Sequence, residues 1–323
     1  MKHRRVIGVL FSGLVLASTA AAPHAVADPC RWIAHDLPVP DDSRYARTSG
    51  SSENNRFIVG EAKVGESSHV ESGLVWDNGV LTRMTPSGWW LTAIRPTDVN
   101  NSGVVVGRQE ILDQHRTVAF RYRDGAYELL DTPEGLNSQA KGVNNHGDVV
   151  GEVWQSDTPN TRHTTVWPNS GAAKTFLPGP AIGISDDGKV VQISGASGFV
   201  IDVETGQRTE LPGGKQRMVF DNDRVLHPSP TGLAEWNLAG QQVATWEAGT
   251  TPWGRTSSGH VVFGAVNGVA TLWQWGVHYP VDSANLPVVA SAYYGDVTDE
   301  GALIGTYIPT GGDSRPARWF WCG

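Results

Sequence analysis

The chain has 323 residues, with 25 Lys and Arg against 33 Asp and Glu and a formal net charge of −8. Such a distributed acidic excess disfavours nucleic acid and anionic membrane surfaces as partners. Charged residues make up only 18 % of the chain while Gly (38) and Trp (13) are abundant, which suits a folded, turn-rich protein better than a disordered one.

The amino end reads as an export signal: Lys2, Arg4 and Arg5, an apolar stretch from Val6 to Leu16, then small residues ending Ala25-Val26-Ala27. Cleavage after Ala27 removes three basic side chains, leaving 296 residues in which 22 basic groups face 33 acids, a charge of −11. The apolar stretch is short for a membrane anchor, and no other segment reaches about 18 consecutive apolar residues. The mature protein, residues 28–323, is expected to be a single secreted domain without a membrane span, and a monomer. Arg4-Arg5 raises twin-arginine export, although the following residues match that signal poorly. Both routes lead out of the cytoplasm.

Cys30 and Cys322 are the two cysteines and stand next to the two ends of the mature chain. In an exported protein the reading is one disulfide between them; two free buried thiols are the alternative.

After residue 50 one unit repeats, a tight polar turn followed by a short aliphatic run. In chain order the copies are Asn54 to Gly60, Val99-Asn100-Asn101-Ser102-Gly103-Val104-Val105-Val106-Gly107, Val143-Asn144-Asn145-His146-Gly147-Asp148-Val149-Val150-Gly151, Ile184 to Gln192, Asp221 to His227, Thr256 to Phe263 and Val297 to Gly305. Their last residues fall at 60, 107, 151, 192, 227, 263 and 305, steps of 35 to 47 residues. Seven copies at about forty residues is a propeller-like period. Each turn needs a residue that tolerates positive φ, which Gly supplies in five copies; Arg56 and Asp223 stand there in the other two.

An aromatic strand, a second tight turn and a further strand follow each copy, most clearly in Val118 to Tyr122, Arg123-Asp124-Gly125 and Ala126 to Leu130. Leu74-Val75-Trp76 with Asp77-Asn78-Gly79 and Val166-Trp167 with Asn169-Ser170-Gly171 repeat the pattern. Asp-Gly and Asn-Gly between alternating runs predict hairpins. With the strand that enters each polar turn this makes four strands per repeat, one propeller blade. No segment carries sustained helical periodicity, so helices should be nearly absent.

The last repeat stops at Ala317-Arg318-Trp319-Phe320-Trp321-Cys322, where its outer hairpin should turn, and the mature chain opens with Cys30-Arg31-Trp32-Ile33-Ala34-His35-Asp36-Leu37-Pro38. The opening segment supplies the missing outer strand. The expectation is an all-β, seven-bladed propeller whose terminal strands pair in one blade, with a Cys30–Cys322 bridge as the lock, worth roughly 5 kcal/mol in the chain-entropy model.

The repeat resembles the extracellular bacterial repeat named for its His-Ala-Phe tripeptide, whose units combine an Ile-Asn-x-x-Gly turn, a Val-Val-Gly strand and an Ala-Phe-x-Trp strand. Residues 99–130 and 143–177 carry the match, with Val118 standing where the tripeptide has His. The resemblance implies an exported propeller-like repeat protein and assigns no activity.

For function, the longer loops between second and third strands and between blades are expected on one face, including 85–91, 110–116, 133–141, 155–163, 248–253, 283–293 and 309–315. Trp76, Trp167, Trp236, Trp273 and Trp319 recur at one blade position and are expected in the core. Trp89, Trp90, Trp154, Trp253, Tyr293 and Tyr294 depart from the repeat and are candidates to stack on a sugar ring or grip a peptide. Arg95, Arg108, Glu110, Lys141, Glu152 and Arg255 are polar candidates near the ends of inner strands, at the mouth of the channel.

Catalytic templates fail: no nucleophile elbow, zincin helix, phosphate loop or dinucleotide fingerprint is present, and no cofactor or metal is expected. Glu110 with Glu152, or Glu152 with Asp157, could serve as acid and base if they converged, with His115 or His163 beside them. Asn100-Asn101-Ser102 matches a glycosylation acceptor, but its place in a recurring turn argues against use. The leading expectation is a secreted non-catalytic protein that binds an extracellular polysaccharide or protein through the long-loop face. A propeller glycoside hydrolase or lyase and a structural surface protein are the alternatives.

Overall fold

In the computed structural model the described residues are 32–65, 71–84, 92–158, 161–194, 197–211, 218–221, 223–229, 232–246, 250–255, 261–266, 269–274, 277–281 and 289–321. Within 250–294 side chains are described only for Thr271, Leu272 and Val281. Among these residues the strands run as seven four-stranded antiparallel meanders, two of them joined into one larger sheet by a parallel bridge between Glu71 and Ala93. A single 3-10 turn, Leu112–Gln114, is the helical element described.

The innermost strands are Ser43–Ser51, Thr92–Val99, Leu136–Val143, Ala181–Ile184, Val219–Asp221, Thr250–Arg255 and Val289–Val297. Several predicted loops are shorter than the sequence suggests, because these strands begin early. Trp253 and Tyr293 stand in strands, not in the predicted loops, and Lys141, Arg255 and Tyr294 are likewise in inner strands. Arg108 and Glu110 (Val105–Ile111), and Glu152 and Trp154 (Val149–Gln155), belong to second strands, one step out from the channel.

The terminal segments meet as expected: Trp32–Asp36 pairs antiparallel with Arg315–Trp321, Trp32 opposite Trp321. They form the outer two strands of the sheet that begins with Val289–Val297. Cys30 and Cys322 themselves lie outside the described residues.

The Val-Val-Val runs need both faces apolar, because each second strand is covered by its own blade's neighbours on either side. Val105 packs with Val59, Val75 and Phe120, whereas Val104 and Val106 pack with Val143, Val149 and Trp167 of the next blade. Trp76, Trp167 and Trp319 are buried in such seams, as the sequence predicts; Trp236 is only half-buried, and Trp273 lies outside the described side chains.

The polar turns fold by the same device in each well-formed copy. The Asn144 Oδ1 accepts the amides of His146 and Asp148 at 3.1 and 2.9 Å, while its Nδ2 donates to the Ser185 carbonyl of the next blade at 3.0 Å. Asn100 does likewise, closing its own turn and donating to the Asn144 carbonyl at 2.8 Å. Buried and so engaged, Asn100 is unavailable as a glycan acceptor. Positive φ falls on Gly103, Gly147, Gly188 and Gly301. In the first copy it falls on Asn55, not on the aligned Arg56, because that turn carries one extra residue. Asn144→Ala leaves two turn amides and one buried carbonyl unpaired, so it should cost about 2–4 kcal/mol, read as a lower urea midpoint at unchanged m-value.

Candidate functional site

The described strands carry two polar arrangements. The first is a band of charge running across the first three blades. Arg95 Nε lies 2.7 Å from Glu71 and 3.4 Å from Glu110, and Arg108 Nε donates to Glu110 at 3.1 Å. Arg108 continues to Gln139 Oε1 at 3.4 Å, and Gln139 Nε2 donates to Glu152 at 2.7 Å. Arg162 closes the series, donating to Glu152 at 2.6 Å and lying 4.5 Å over the Trp154 ring.

Register explains why this band exists. Arg95 and Arg108 stand directly opposite each other on adjacent strands, a like-charge pair that would repel if alone. Glu71 from the preceding blade and Glu110 supply the compensating charge. In the first blade the equivalent cross-strand pair, Arg47 and Glu61, is complementary, with Arg47 Nε donating at 2.6 Å. The predicted residues Arg95, Arg108, Glu110, Glu152 and Trp154 therefore come together, joined by Glu71, Gln139 and Arg162, which the sequence analysis did not single out.

The second arrangement is a cavity of about 400 Å³ at the channel end that carries the tight turns. Its lining follows from a β-bulge repeated in six inner strands, at Thr48/Gly50, Pro96/Asp98, Ala140/Gly142, Ala181/Gly183, Pro252/Gly254 and Tyr294/Asp296. The extra residues are Ser49, Thr97, Lys141, Ile182, Trp253 and Gly295. A bulge re-aims its extra residue, and Ser49, Thr97, Lys141, Ile182 and Gly295 line the cavity. Lys141 thus parts company with the other predicted polar residues.

The position after each bulge is Gly50, Asp98, Gly142, Gly183, Gly254 or Asp296. This recurring Gly-or-Asp, two residues before each turn, is a sequence signal of the bulge that the repeat analysis missed. Where it is Asp, the carboxylate crosses to the next blade. Asp98 Oδ2 accepts the Val143 amide at 2.9 Å, and Asp296 Oδ2 accepts Ser51 Oγ at 2.6 Å. Their other oxygens accept the following amides, Val99 and Val297, both at 2.8 Å.

Burial away from water pushes Asp98 up to about 7, against the pull of the Val143 and Val99 amides and with added repulsion from Asp296 and Glu53. Burial likewise pushes Asp296 up to about 6, and Glu53 is raised for the same reason. Glu53 reaches over the mouth, accepting from Asn101 Nδ2 at 3.2 Å.

The remaining predictions do not converge on a reaction centre. Glu110 and Glu152 are held by different guanidinium groups, and Asp157 is exposed. His115 is exposed beside the 3-10 turn, while His163 Nδ1 lies 3.4 Å from the Phe176 carbonyl. Among the described residues no three metal-ligating side chains cluster. Trp89 and Trp90 lie outside the described residues, as do the side chains of Trp253, Arg255, Tyr293 and Tyr294.

Meanders arranged around a lined channel are the architecture of a β-propeller, and comparison with solved structures supports it. The chain is similar to one in "Crystal Structure of Mitotic Checkpoint Complex", with TM-score 0.54 and 11 % identity over 99 % of each chain. It is also similar to the RRP9 WD40 repeats, with TM-score 0.56 and 11 % identity over 90 % of this chain and 97 % of that one. A third is U3-55K, with TM-score 0.53 and 12 % identity over 88 % and 98 %. These likenesses show a β-propeller repeat fold. No protein-family model and no curated protein matches the chain.

Proposed function

We propose that the chain is an exported seven-bladed propeller, closed by a Cys30–Cys322 disulfide and related to the His-Ala-Phe repeats, that acts as a non-catalytic scaffold for an extracellular protein partner. The observation that carries the binding reading is the charged band from Glu71 to Arg162. Its carboxylates are taken up by guanidinium and amide donors, so Glu110 and Glu152 face donors instead of a shared open point. An acid/base pair for glycoside hydrolysis needs the opposite arrangement. What the band offers is a fixed surface of partly exposed guanidinium groups, one of them stacked on Trp154, and Arg with Trp is a pairing that contributes strongly to protein interfaces.

Tryptophan-fluorescence titration of the mature protein against secreted proteases, peptidoglycan fragments and cell-wall polysaccharides tests this. A saturable response to a protein, weakened at least tenfold in Arg108→Ala/Arg162→Ala, supports the scaffold reading. A polysaccharide response with chain shortening would replace it with the hydrolase alternative, and silence towards every class would leave the structural alternative.

A further inference from the structure

Asp98 and Asp296 occupy the same position in two blades; in each, one carboxylate oxygen fastens a seam beside the channel and the other holds the amide of the following residue. Asp98 fastens the second blade to the third, and Asp296 fastens the last blade to the first. Glu53, on the turn of the first blade, accepts from Asn101 on the adjacent turn of the second blade. The groups sharing this cavity are Asp186, Asp221, Asp299 and, as the cation among the described lining residues, Lys141. Three carboxylates are therefore committed to structural contacts in a space to which the described lining residues bring one cation, Lys141.

We propose that Asp98, Asp296 and Glu53 make the channel a proton-operated element, in which proton uptake neutralises a lining of clustered carboxylates and relieves their mutual repulsion beside the seams.

The sign follows from the raised values. A carboxyl whose folded pKa stands above its unfolded value holds a proton in the folded chain that the unfolded chain has released. Its stabilising contribution is full below about pH 4, the unfolded carboxyl pKa, and disappears as pH rises through the folded value. With Asp98 at about 7 and Asp296 at about 6, stability should fall from pH 4 to 7, within the range where most other carboxylates are already ionised. In the ionised state the three groups repel one another across the cavity. Asp77 and Asp202, exposed and held low by their hydrogen-bond donors, contribute in the opposite sense and only in more acid solution.

Thermal unfolding of the full mature chain at pH 5 and pH 8 reads the net effect, with Asp98→Asn/Asp296→Asn as the variant that cannot take up these protons. The wild type should lose roughly 5 °C or more in Tm between the two values, and the variant should lose much less. Asp77→Asn is the control and should keep the wild-type slope. Carbon-13 titration of the wild-type side-chain carboxyls decides the matter directly, including the case where the double variant does not fold. Midpoints above about 5.5 for Asp98 and Asp296 are expected, and midpoints near the ordinary 4 would overturn the proposal.

Discussion

Gly151→Ala is expected to destabilise the protein by more than about 3 kcal/mol. A Cβ at this position would stand 2.0 Å from the Gln139 carbonyl oxygen and 2.8 Å from the Ala140 Cα, both backbone atoms of the adjacent inner strand. Backbone at a bulge cannot retreat as a flexible side chain can. Gly60 and Gly107 meet the same obstacle, at 2.1 Å from the Arg47 and 2.2 Å from the Arg95 carbonyl. The glycine ending each Val-Val-Gly run is therefore set by the bulge beside it. The comparison variant is Gly125→Ala, in an outer turn with positive φ and no atom near the added carbon, which should cost only about 1 kcal/mol. Urea denaturation of the two variants separates a close-approach requirement from a simple turn preference; equal losses would refute it.

Trp167→Ala should cost about 3–5 kcal/mol, the range for truncating a large buried aromatic. The ring is 3 % exposed and fills the seam with Val104, Leu130 and Val149, and its Nε1 donates to the Asp131 carbonyl at 2.6 Å. Two losses therefore combine, the packed volume and a hydrogen bond that would leave a carbonyl unsatisfied. Trp167→Phe keeps much of the volume and should fall between, at about 1–2 kcal/mol. Chemical denaturation of both variants divides packing from hydrogen bonding. A Trp167→Ala loss below 1 kcal/mol would mean that the seam collapses to fill the space.

The repeat was legible because its parts are local: an Asn or Gly turn, an aliphatic run, and an Asp-Gly or Asn-Gly hairpin each constrain only a few residues. The joining of the ends was legible too, since Arg315–Trp321 pairs on one side with Leu303–Pro309 but has no following strand for its outer edge, and Trp32–Asp36 has no local partner. The bulge escaped notice because its effect on register is seen only across two strands, although Gly50, Asp98, Gly142 and Asp296 mark it. Missing it hid why Lys141 turns into the cavity while the other polar candidates do not, and left the Gly of Val-Val-Gly without a reason. For the site, Arg95, Arg108, Glu110 and Glu152 are legible as polar strand residues, although only Arg95 stands in an inner strand as the sequence suggests. Their pairing through Gln139 and Arg162 could not, because it depends on which neighbouring blade each long side chain reaches.

The pairing of Trp32–Asp36 with Arg315–Trp321 also has a kinetic meaning. Synthesis delivers the amino end first, so this strand waits with its backbone donors and acceptors unmatched until nearly the whole chain has emerged. Contacts at such sequence separation form slowly, and an unmatched strand edge in the interval invites pairing with another chain. Refolding of the intact chain should accordingly show end-joining as its slow step, and concentration during that interval should govern how much product is lost to aggregation.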